Sequence, residues 1–412
     1  MKHPHSAPFL FQISSMLLFV SLSFSTHPVA AFQDQSTFID PTANLLCTGP
    51  TIKPCRLGLD VYIGPFATLK TPPGFPNDPP FISVGPGSNV QDNALLDSTT
   101  NNKPITLAGM VIIAHGATVL GGASIGTSGT CPSGGNVCPS FVGFNSEVAE
   151  NAVVQRNAMV SHLARVGRNV TIPSGRVVLP GKNVTSNAEV PTKTIAIVDA
   201  DRIFMDAVIK VNIDLAAGYN VLQKQDPSNV LGMNYNPVTK LNPTSTLPSL
   251  GGTPTRDPTN SNRIIGDVQF ASPTLPPITG NVSLRADEGT PFNIGVVVMA
   301  SSTFHALEHT SLSIGSGQIF SGSIVHGGKS NNGATSIGSN FTLGSNSVFF
   351  DSTAGNGCTI QPMSLVASSN LDDNTNVPSN IVLLANQEST VEWNRKRASD
   401  KQQSKKHRTH RR

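Results

Sequence analysis

A repeat of six residues runs through the middle of this chain and limits the folds that it can adopt. β-Branched residues occupy every sixth position without a break: Val142, Val148, Val154, Val160, Val166, Ile172, Val178 and Val184. An α-helix would repeat its apolar positions every three or four residues, and a half-buried strand every second residue. A period of six is typical of one flat side of a triangular coil of about 18 residues, and stacked coils bury columns of such side chains. We therefore predict an all-β solenoid, a left-handed parallel β-helix.

The same period continues on both sides of this stretch and predicts two β-helical domains. Upstream it is carried by Ile63, Leu69, Val84, Val90, Leu96, Ile113, Val119 and Ile125. A loop over 127–140 then interrupts it. Downstream it returns, with one gap at Asn331, in Ile319, Val325, Ile337, Leu343 and Phe349. We predict a first domain over 32–224 and a shorter, less regular second domain over 263–393.

The segment between the two repeats has a different character. Residues 199–217 favour an α-helix that follows the first β-helix, and Gly218 is a suitable stop for it. Residues 225–262 contain six prolines among polar residues. Such a composition predicts a semi-rigid linker between the domains.

Both termini differ from the repeats. The first 31 residues combine Lys2, an apolar run over 16–24 and small residues ending at Ala31, which predicts a cleavable secretory signal. An uncleaved N-terminal anchor is the alternative. Residues 394–412 hold nine Lys and Arg against Asp400 alone, which predicts a disordered basic tail. This tail either binds a polyanionic surface, such as a membrane or a cell wall, or only keeps the protein soluble.

The cysteines fit an exported protein, secreted or periplasmic. Cys47 and Cys55 are eight residues apart, and Cys131 and Cys138 are seven apart in a Gly/Ser/Pro-rich loop. In an oxidising compartment these spacings favour two short-range disulfides. Cys358 occupies a repeat position, where we expect a small buried thiol.

Composition narrows the function classes. Only 13% of the residues are charged and 6% are aromatic, which argues against a helical bundle with an aromatic core. Outside the basic tail the chain is net acidic, and stacked aromatic residues of the kind that bind bases are absent. We therefore expect no nucleic-acid partner.

Short motifs in both repeats carry a resemblance to a known family. The first domain contains Gly-Ser-Asn-Val-Gln-Asp at 87–92, Ala-His-Gly-Ala-Thr-Val at 114–119 and Val-Thr-Ile-Pro-Ser-Gly at 170–175. The second contains Ser-Leu-Arg-Ala-Asp-Glu-Gly at 283–289 and His-Ala-Leu-Glu at 305–308. In combination these strings resemble the gamma-class carbonic anhydrases, here as a tandem of two diverged domains.

The resemblance implies a metal site in which three histidines meet at the contact between two β-helices. In the first domain one ligand position is filled by His115, and the other two carry Asp97 and Leu120. A single histidine cannot hold the metal of this family. The first domain alone is therefore expected to lack a complete site.

The second domain shows the complementary pattern. His305 and His326 fill the two positions that the first domain has lost, and Ser321 stands at the third. Together the domains supply one complete ligand set, which predicts a single site shared between them. The expected metal is Zn²⁺, and Fe²⁺ or Co²⁺ would suit the same ligands.

Residues around the metal are also assigned by the resemblance. Glu288 and Gln91 would orient water and substrate, Glu308 would transfer protons, and Arg285 would pair with Asp92 across the contact. Two further residues match family positions: Asn89 and Asn212. His162 and His309 are expected to be structural.

The resemblance implies an enzyme, a carbonic anhydrase that hydrates CO₂ reversibly to bicarbonate through a metal-bound hydroxide. It also implies an oligomer formed through β-helix faces. The alternative is a structural or binding β-helix that has lost activity, which would bind no metal. A hexapeptide acyltransferase shares the predicted fold, but the sequence shows no acyl-CoA signature.

Overall fold

A computed structural model describes residues 37–47, 55–73, 80–132, 138–225, 263–265, 268–270, 282–286, 292–306, 311–328 and 334–393. The predicted signal, most of the proline-rich segment and the basic tail lie outside these ranges. The domain boundaries proposed from the sequence stay predictions.

The first half of the chain forms a triangular solenoid with three faces, named A, B and C here. Face A has eight strands: Phe38–Ile39, Tyr62–Ile63, Asn89–Val90, Val111–Ile113, Ser140–Val142, Met159–Val160, Arg176–Val178 and Thr194–Ala196. Face B has seven: Asn44–Leu46, Thr68–Lys70, Leu95–Asp97, Thr118–Leu120, Glu147–Val148, Arg165–Val166 and Asn183–Val184. Face C has six: Cys55–Leu57, Ile82–Val84, Ile105–Leu107, Ser124–Ile125, Val153–Val154 and Thr171–Ile172. All neighbouring strands are parallel except the last pair of face A.

The register of these strands follows the six-residue period. Val142 pairs with Val160 and Val160 with Val178, so that one coil takes 18 residues. All eight residues of the unbroken run lie in the core and are fully buried. Each buried Val or Ile side chain contributes about 1.5–3 kcal/mol relative to exposure, which makes the columns the main stabilising element. The predicted left-handed β-helix is confirmed.

Asparagine turns many corners of the solenoid. Five asparagines of the first β-helix have a positive φ: Asn93, Asn145, Asn151, Asn157 and Asn169. Asparagine tolerates this left-handed backbone better than other non-glycine residues. The corners therefore turn sharply without a glycine at each one.

The second half forms another β-helix with less regular coils. Its face D has eight strands: Arg263–Ile265, Ser283–Ala286, Thr303–Ala306, Ile324–His326, Val348–Phe350, Leu365–Ala367, Ile381–Leu384 and Gln387–Thr390. The other strands form one sheet of nine: Val268–Phe270, Phe292–Val298, Ser311–Ile319, Ala334–Ile337, Phe341–Leu343, Thr353–Ala354, Thr359–Ile360, Asn370–Leu371 and Asn376–Val377. The step between paired strands of face D is 24 residues at Ile324–Val348 and 17 at Val348–Leu365. The five periodic residues predicted for this half are buried, whereas Asn331 lies outside the described ranges.

Short helices and one long helix complete the described part. The short ones are Ser98–Thr100, Asn187–Glu189 and Val190–Lys193. The long helix, Asp199–Gln225, does not stop at Gly218, so that part of the prediction was wrong. The next residue, Tyr219, is buried and stacks on Phe38 and Tyr62 with ring centroids 4.9 and 6.3 Å apart. Burial of this ring outweighs the cost of about 1 kcal/mol for a glycine inside a helix.

Faces A and D pack against each other through their outward side chains. A buried cluster joins both faces and includes Phe141, Met159, Ile324, Leu365 and Val382. The long helix adds Met205 and Ile209 to the same cluster. The two β-helices therefore share an apolar contact within one chain, and this contact positions the site.

The predicted disulfides are confirmed. Cys47 bonds to Cys55 and Cys131 to Cys138, while Cys358 is a buried free thiol. Disulfides of this kind are typical of an oxidising compartment. Within the described ranges, neither helical length nor apolar character reaches what a membrane crossing requires.

Candidate metal centre

The corner between faces A and B carries His115. Val90, Ile113, Val142 and Val160 pair along face A, and each is followed two residues later by a side chain at this corner. The corner side chains therefore stack in the order Asp92, His115, Phe144 and His162. We call this stack the histidine column. The hexapeptide register itself places His115 between a carboxylate and an aromatic ring.

Face D presents the other two histidines of the predicted set. His305 and His326 are Cα partners on neighbouring parallel strands, and Arg285 is the partner of His305 on its other side. Their side chains lie on one face of the sheet, since paired residues of a ladder point the same way. Packing of face D on the first β-helix then brings them opposite His115.

The three imidazoles meet closely. Nε2 of His115 lies 3.3 Å from Nδ1 of His305, and that atom lies 2.7 Å from Nε2 of His326. One nitrogen from each ring falls within 4.8 Å of the others. Zn–N bonds of tetrahedral sites separate ligand nitrogens by about 3.3 Å, so small ring movements would suit a metal ion. Three nitrogen donors and no carboxylate is a set that suits Zn²⁺, Fe²⁺ or Co²⁺ rather than Mg²⁺ or Ca²⁺.

Burial keeps these imidazoles neutral. Burial lowers the pKa of His115 and of His305 well below the ordinary value of 6.5. Burial also lowers the pKa of His326 to about 4, although its hydrogen bond to the Gly327 carbonyl opposes the shift. Neutral imidazole is the form that binds metals, so no proton has to leave a charged ring at neutral pH.

Hydrogen bonds set the tautomer of His326. Its Nδ1 lies 2.6 Å from the carbonyl oxygen of Gly327, which can only accept, so Nδ1 carries the proton. The lone pair of Nε2 therefore points toward His305 and His115. Such a backbone contact on the outer nitrogen is the usual way to orient a metal-binding histidine.

An ion pair connects the two β-helices beside the histidines. Nη2 of Arg285 lies 3.0 Å from Oδ1 of Asp92, and both side chains are buried. Ser283 donates to the other oxygen of Asp92, and Nη1 of Arg285 donates to the hydroxyl of Tyr62 at 2.7 Å. Burial raises the pKa of Asp92, while Arg285 opposes the shift and favours the carboxylate. Oδ1 of Asp92 lies 3.6 Å from Nδ1 of His115, which links the ion pair to the histidine column.

Tyr62 was missed by the sequence reasoning. It is fully buried on face A, as the Cα partner of Asn89 one strand away. The register of the repeat was the available signal, since it already placed Ile63 and Val90 in one column. No local motif marks Tyr62 itself.

Asn89 and Gln91 lie near this ion pair along the chain. Asn89 is fully buried, and neither its amide nitrogen nor its amide oxygen has a hydrogen-bond partner among the described residues. An unsatisfied buried amide costs about 1–3 kcal/mol and calls for a partner such as water or a substrate. Gln91 is buried on the next positions of the same coil.

The remaining predicted site residues do not join the histidines in the described part. Asn212 is buried in the long helix, where its amide nitrogen donates to the carbonyl of Val208 at 2.8 Å. No described contact links it to the three imidazoles. Glu288, Glu308 and His309 lie outside the described residues.

The positions where the first β-helix lacks histidines have taken structural roles. Asp97 and Leu120 are Cα partners on face B. Oδ1 of Asp97 caps the short helix by accepting from the amide of Thr99 at 2.9 Å, and its other oxygen lies 3.7 Å from Lys70. The carboxylate is therefore used locally.

His162, at the end of the histidine column, has a structural contact. Its Nδ1 accepts from the amide of Phe144 at 3.0 Å, and its ring stacks on the Phe144 ring at 4.3 Å. Burial lowers the pKa of His162 to about 3. The role expected for it from the sequence agrees with these contacts.

Comparison with known proteins places these observations among relatives. No family model matches the chain. The fold defines it as a hexapeptide-repeat β-helix, and a hexapeptide transferase family protein from Anaplasma phagocytophilum is 20% identical, with coverage of 44% of this chain and 92% of that one. An Arabidopsis UDP-N-acetylglucosamine acyltransferase is 10% identical and covers 86% and 73%. Their TM-scores, 0.32 and 0.16, are too low to carry an argument about function.

The similar curated proteins are carbonic anhydrases. The carbonic anhydrase of Methanosarcina thermophila is 28% identical over 217 residues, which are 48% of this chain and 77% of that protein. The mitochondrial gamma carbonic anhydrase 1 of Arabidopsis thaliana is 28% identical over 153 residues, 36% of this chain and 47% of its own length. The resemblance to the gamma-class carbonic anhydrases is confirmed.

Proposed function

We propose that this protein is a gamma-class-like carbonic anhydrase with one metal site shared between its two β-helices. It hydrates CO₂ reversibly to bicarbonate. The observation that carries the proposal is the meeting of His115, from the first β-helix, with His305 and His326, from the second, within 4.8 Å. The carbonic anhydrases to which the chain is similar support the same reaction.

The proposed cofactor is Zn²⁺, with Fe²⁺ or Co²⁺ as alternatives that the three imidazoles also suit. When bound, such an ion acts as a Lewis acid that lowers the pKa of water to about 7 and so supplies a nucleophile at neutral pH. The chain's contribution is to hold three neutral imidazoles together in a buried corner.

The surrounding residues orient the ligands and the substrate. Arg285 and Asp92 fix the contact between the β-helices beside His115. The unpaired amide of Asn89 offers both a donor and an acceptor in a buried position. By resemblance, Gln91 and Glu288 orient water and CO₂, and Glu308 carries the product proton away; Asn212 belongs to the same proposal.

The setting of the enzyme is also a proposal. Two disulfides support an oxidising compartment, secreted or periplasmic, reached through the N-terminal signal. We further propose assembly through β-helix faces, and attachment of the basic tail to a polyanionic surface.

A structural or binding β-helix without activity is the second candidate. It is favoured by the structural use of Asp97 and by the loss of a histidine at Leu120. This candidate binds no metal, which separates it from the first.

Stopped-flow hydration of CO₂ tests the proposal. The wild-type protein is expected to accelerate hydration, and His115→Ala, His305→Ala and His326→Ala are each expected to abolish the effect, because two imidazoles hold Zn²⁺ far more weakly than three. His309→Ala is the matched control and should retain activity. A wild-type protein that is loaded with Zn²⁺, Fe²⁺ or Co²⁺ in turn and still fails to accelerate hydration would leave the non-catalytic candidate.

A further inference from the structure

The last described residues leave the second β-helix and lie along the first. After the hairpin Ile381–Leu384 and Gln387–Thr390, the amide of Val391 still donates to Asn380 of its own β-helix at 2.7 Å. The next amide, of Glu392, donates to the carbonyl of Gly181 in the first β-helix at 2.8 Å. We call Val391–Trp393 the C-terminal strap.

The carboxylate of Glu392 anchors the strap to three donors of the first β-helix. It lies 3.0 Å from Nζ of Lys182 and 2.9 Å from Nζ of Lys193, and it accepts from the amide of Asn183 at 3.2 Å. The three side chains are each less than 30% exposed. Partial burial raises the pKa of Glu392, but the hydrogen bonds to Lys193 and Lys182 outweigh it and lower the pKa to about 2.

Trp393 makes the second anchor. Its indole Nε1 donates to the carbonyl of Leu163 at 2.6 Å, and the ring is buried in the cluster between faces A and D. Gly181 allows this close approach, since a Cβ there would lie 2.8 Å from Val382 and 3.1 Å from Val391. The glycine also has a φ of +72°, so both its space and its backbone exclude a side chain.

The strap grips the same corner that carries His115. Hydrogen bonds run up this corner from coil to coil: Asn145 to His115, Leu163 to Phe144 and Gly181 to His162. Trp393 and Glu392 bind the two uppermost steps, at Leu163 and Gly181. The strap thus ties face D, which holds His305 and His326, to the histidine column.

We propose that the C-terminal strap is the clasp that fixes the second β-helix against the first, with Glu392 and Trp393 as positioning residues for the shared histidine site. The clasp itself does not depend on a metal. Its consequence for metal affinity rests on the proposed function.

Association of the two halves tests the clasp. A protease recognition sequence replaces residues 244–249 of the full chain, and the folded, metal-free protein is cut there. The wild-type halves are expected to remain associated. Glu392→Gln is expected to raise their dissociation constant about tenfold, because it removes a partly buried charge from two lysines. Trp393→Phe keeps the ring, removes the donor to Leu163 and should also weaken association.

A matched control and a coupling measurement keep the result specific. Glu147→Gln removes a similarly buried ion pair, to Arg165 at 2.8 Å, that lies within the first β-helix, and it should leave association unchanged. In a double-mutant cycle, Glu392→Gln and Lys182→Met should be non-additive, because the two charges contact each other. Unchanged association in Glu392→Gln and Trp393→Phe, or equal loss in Glu147→Gln, would overturn the clasp.

Zinc competition with a chromogenic chelator, on the uncut chain, tests the positioning role. Glu392→Gln should lower the affinity for Zn²⁺ several-fold, and Glu147→Gln should not. Weakened association with unaltered Zn²⁺ affinity would overturn the positioning role. If the wild type binds no zinc, the proposed function fails, while the association of the metal-free halves still decides the clasp.

Discussion

Arg285 reaches across the contact between the two β-helices and places Nη2 3.0 Å from Oδ1 of Asp92. The arginine is 1% exposed and the aspartate is fully buried. A buried pair of this kind contributes little to stability relative to apolar residues, but removal of one partner leaves an uncompensated charge. The pair therefore specifies which surfaces of the two β-helices meet.

Arg285→Met should destabilise the protein strongly. It leaves Asp92 buried without its cation, and we expect a loss of about 3–5 kcal/mol in the free energy of unfolding, measured by urea denaturation. The double variant Asp92→Asn with Arg285→Met should recover part of the loss, because no buried charge remains. A loss below about 1 kcal/mol for Arg285→Met would show that water reaches this contact.

The Glu392 cluster predicts a pH-dependent contribution to stability. The pKa of Glu392 is lowered from 4.5 to about 2, so its ionised form stabilises the fold above pH 4.5 and this contribution is lost as the pH falls toward 2. Thermal unfolding should show a wild-type midpoint above that of Glu392→Gln at neutral pH. The gap should narrow below pH 4.5. A gap that stays constant down to pH 3 would contradict the ion-pair explanation.

His162 predicts a second acid-sensitive contribution. Its pKa in the fold is about 3 rather than 6.5, so the unfolded chain takes up a proton that the folded chain refuses as the pH falls below 6.5. The cost reaches about 2–3 kcal/mol near pH 4.5. His162→Asn keeps an acceptor for the amide of Phe144 and cannot ionise in this range. Its stability, from urea denaturation at several pH values, should fall less steeply than that of the wild type; parallel curves would contradict the prediction.

Proton transfer by Glu308 can be tested by chemical rescue. With Glu308→Ala, CO₂ hydration should slow at low buffer concentration and recover at high imidazole concentration, since a small base replaces a proton shuttle. Stopped-flow rates across a buffer series provide the measurement. Equal loss at all imidazole concentrations would indicate that Glu308 supports structure or the metal instead.

Sequence reasoning reached the fold because one-dimensional periodicity determines a solenoid. Val142 predicts the position of Val160 directly, and the register of His115 with Asp92 follows from the same count. The disulfides followed from spacing in an exported chain. These features depend on neighbours along the coil.

Contacts between the two β-helices could not be obtained that way. Tyr62, Glu392 and Trp393 each act on a residue far away in the sequence, and no period connects them. The helix end shows the same limit, because Gly218 is a local stop signal and burial of Tyr219 is a tertiary effect. The pairing of His115 with His305 and His326 came from resemblance, not from the repeat.

The metal content of purified protein, measured by inductively coupled plasma mass spectrometry, tests the shared site most directly. One complete ligand set predicts about one metal ion per chain, and His115→Ala should remove it, since no other residue of the first β-helix stands at a ligand position. His309→Ala should retain the full content. Two ions per chain, or metal retained in His115→Ala, would contradict a single site built from both β-helices.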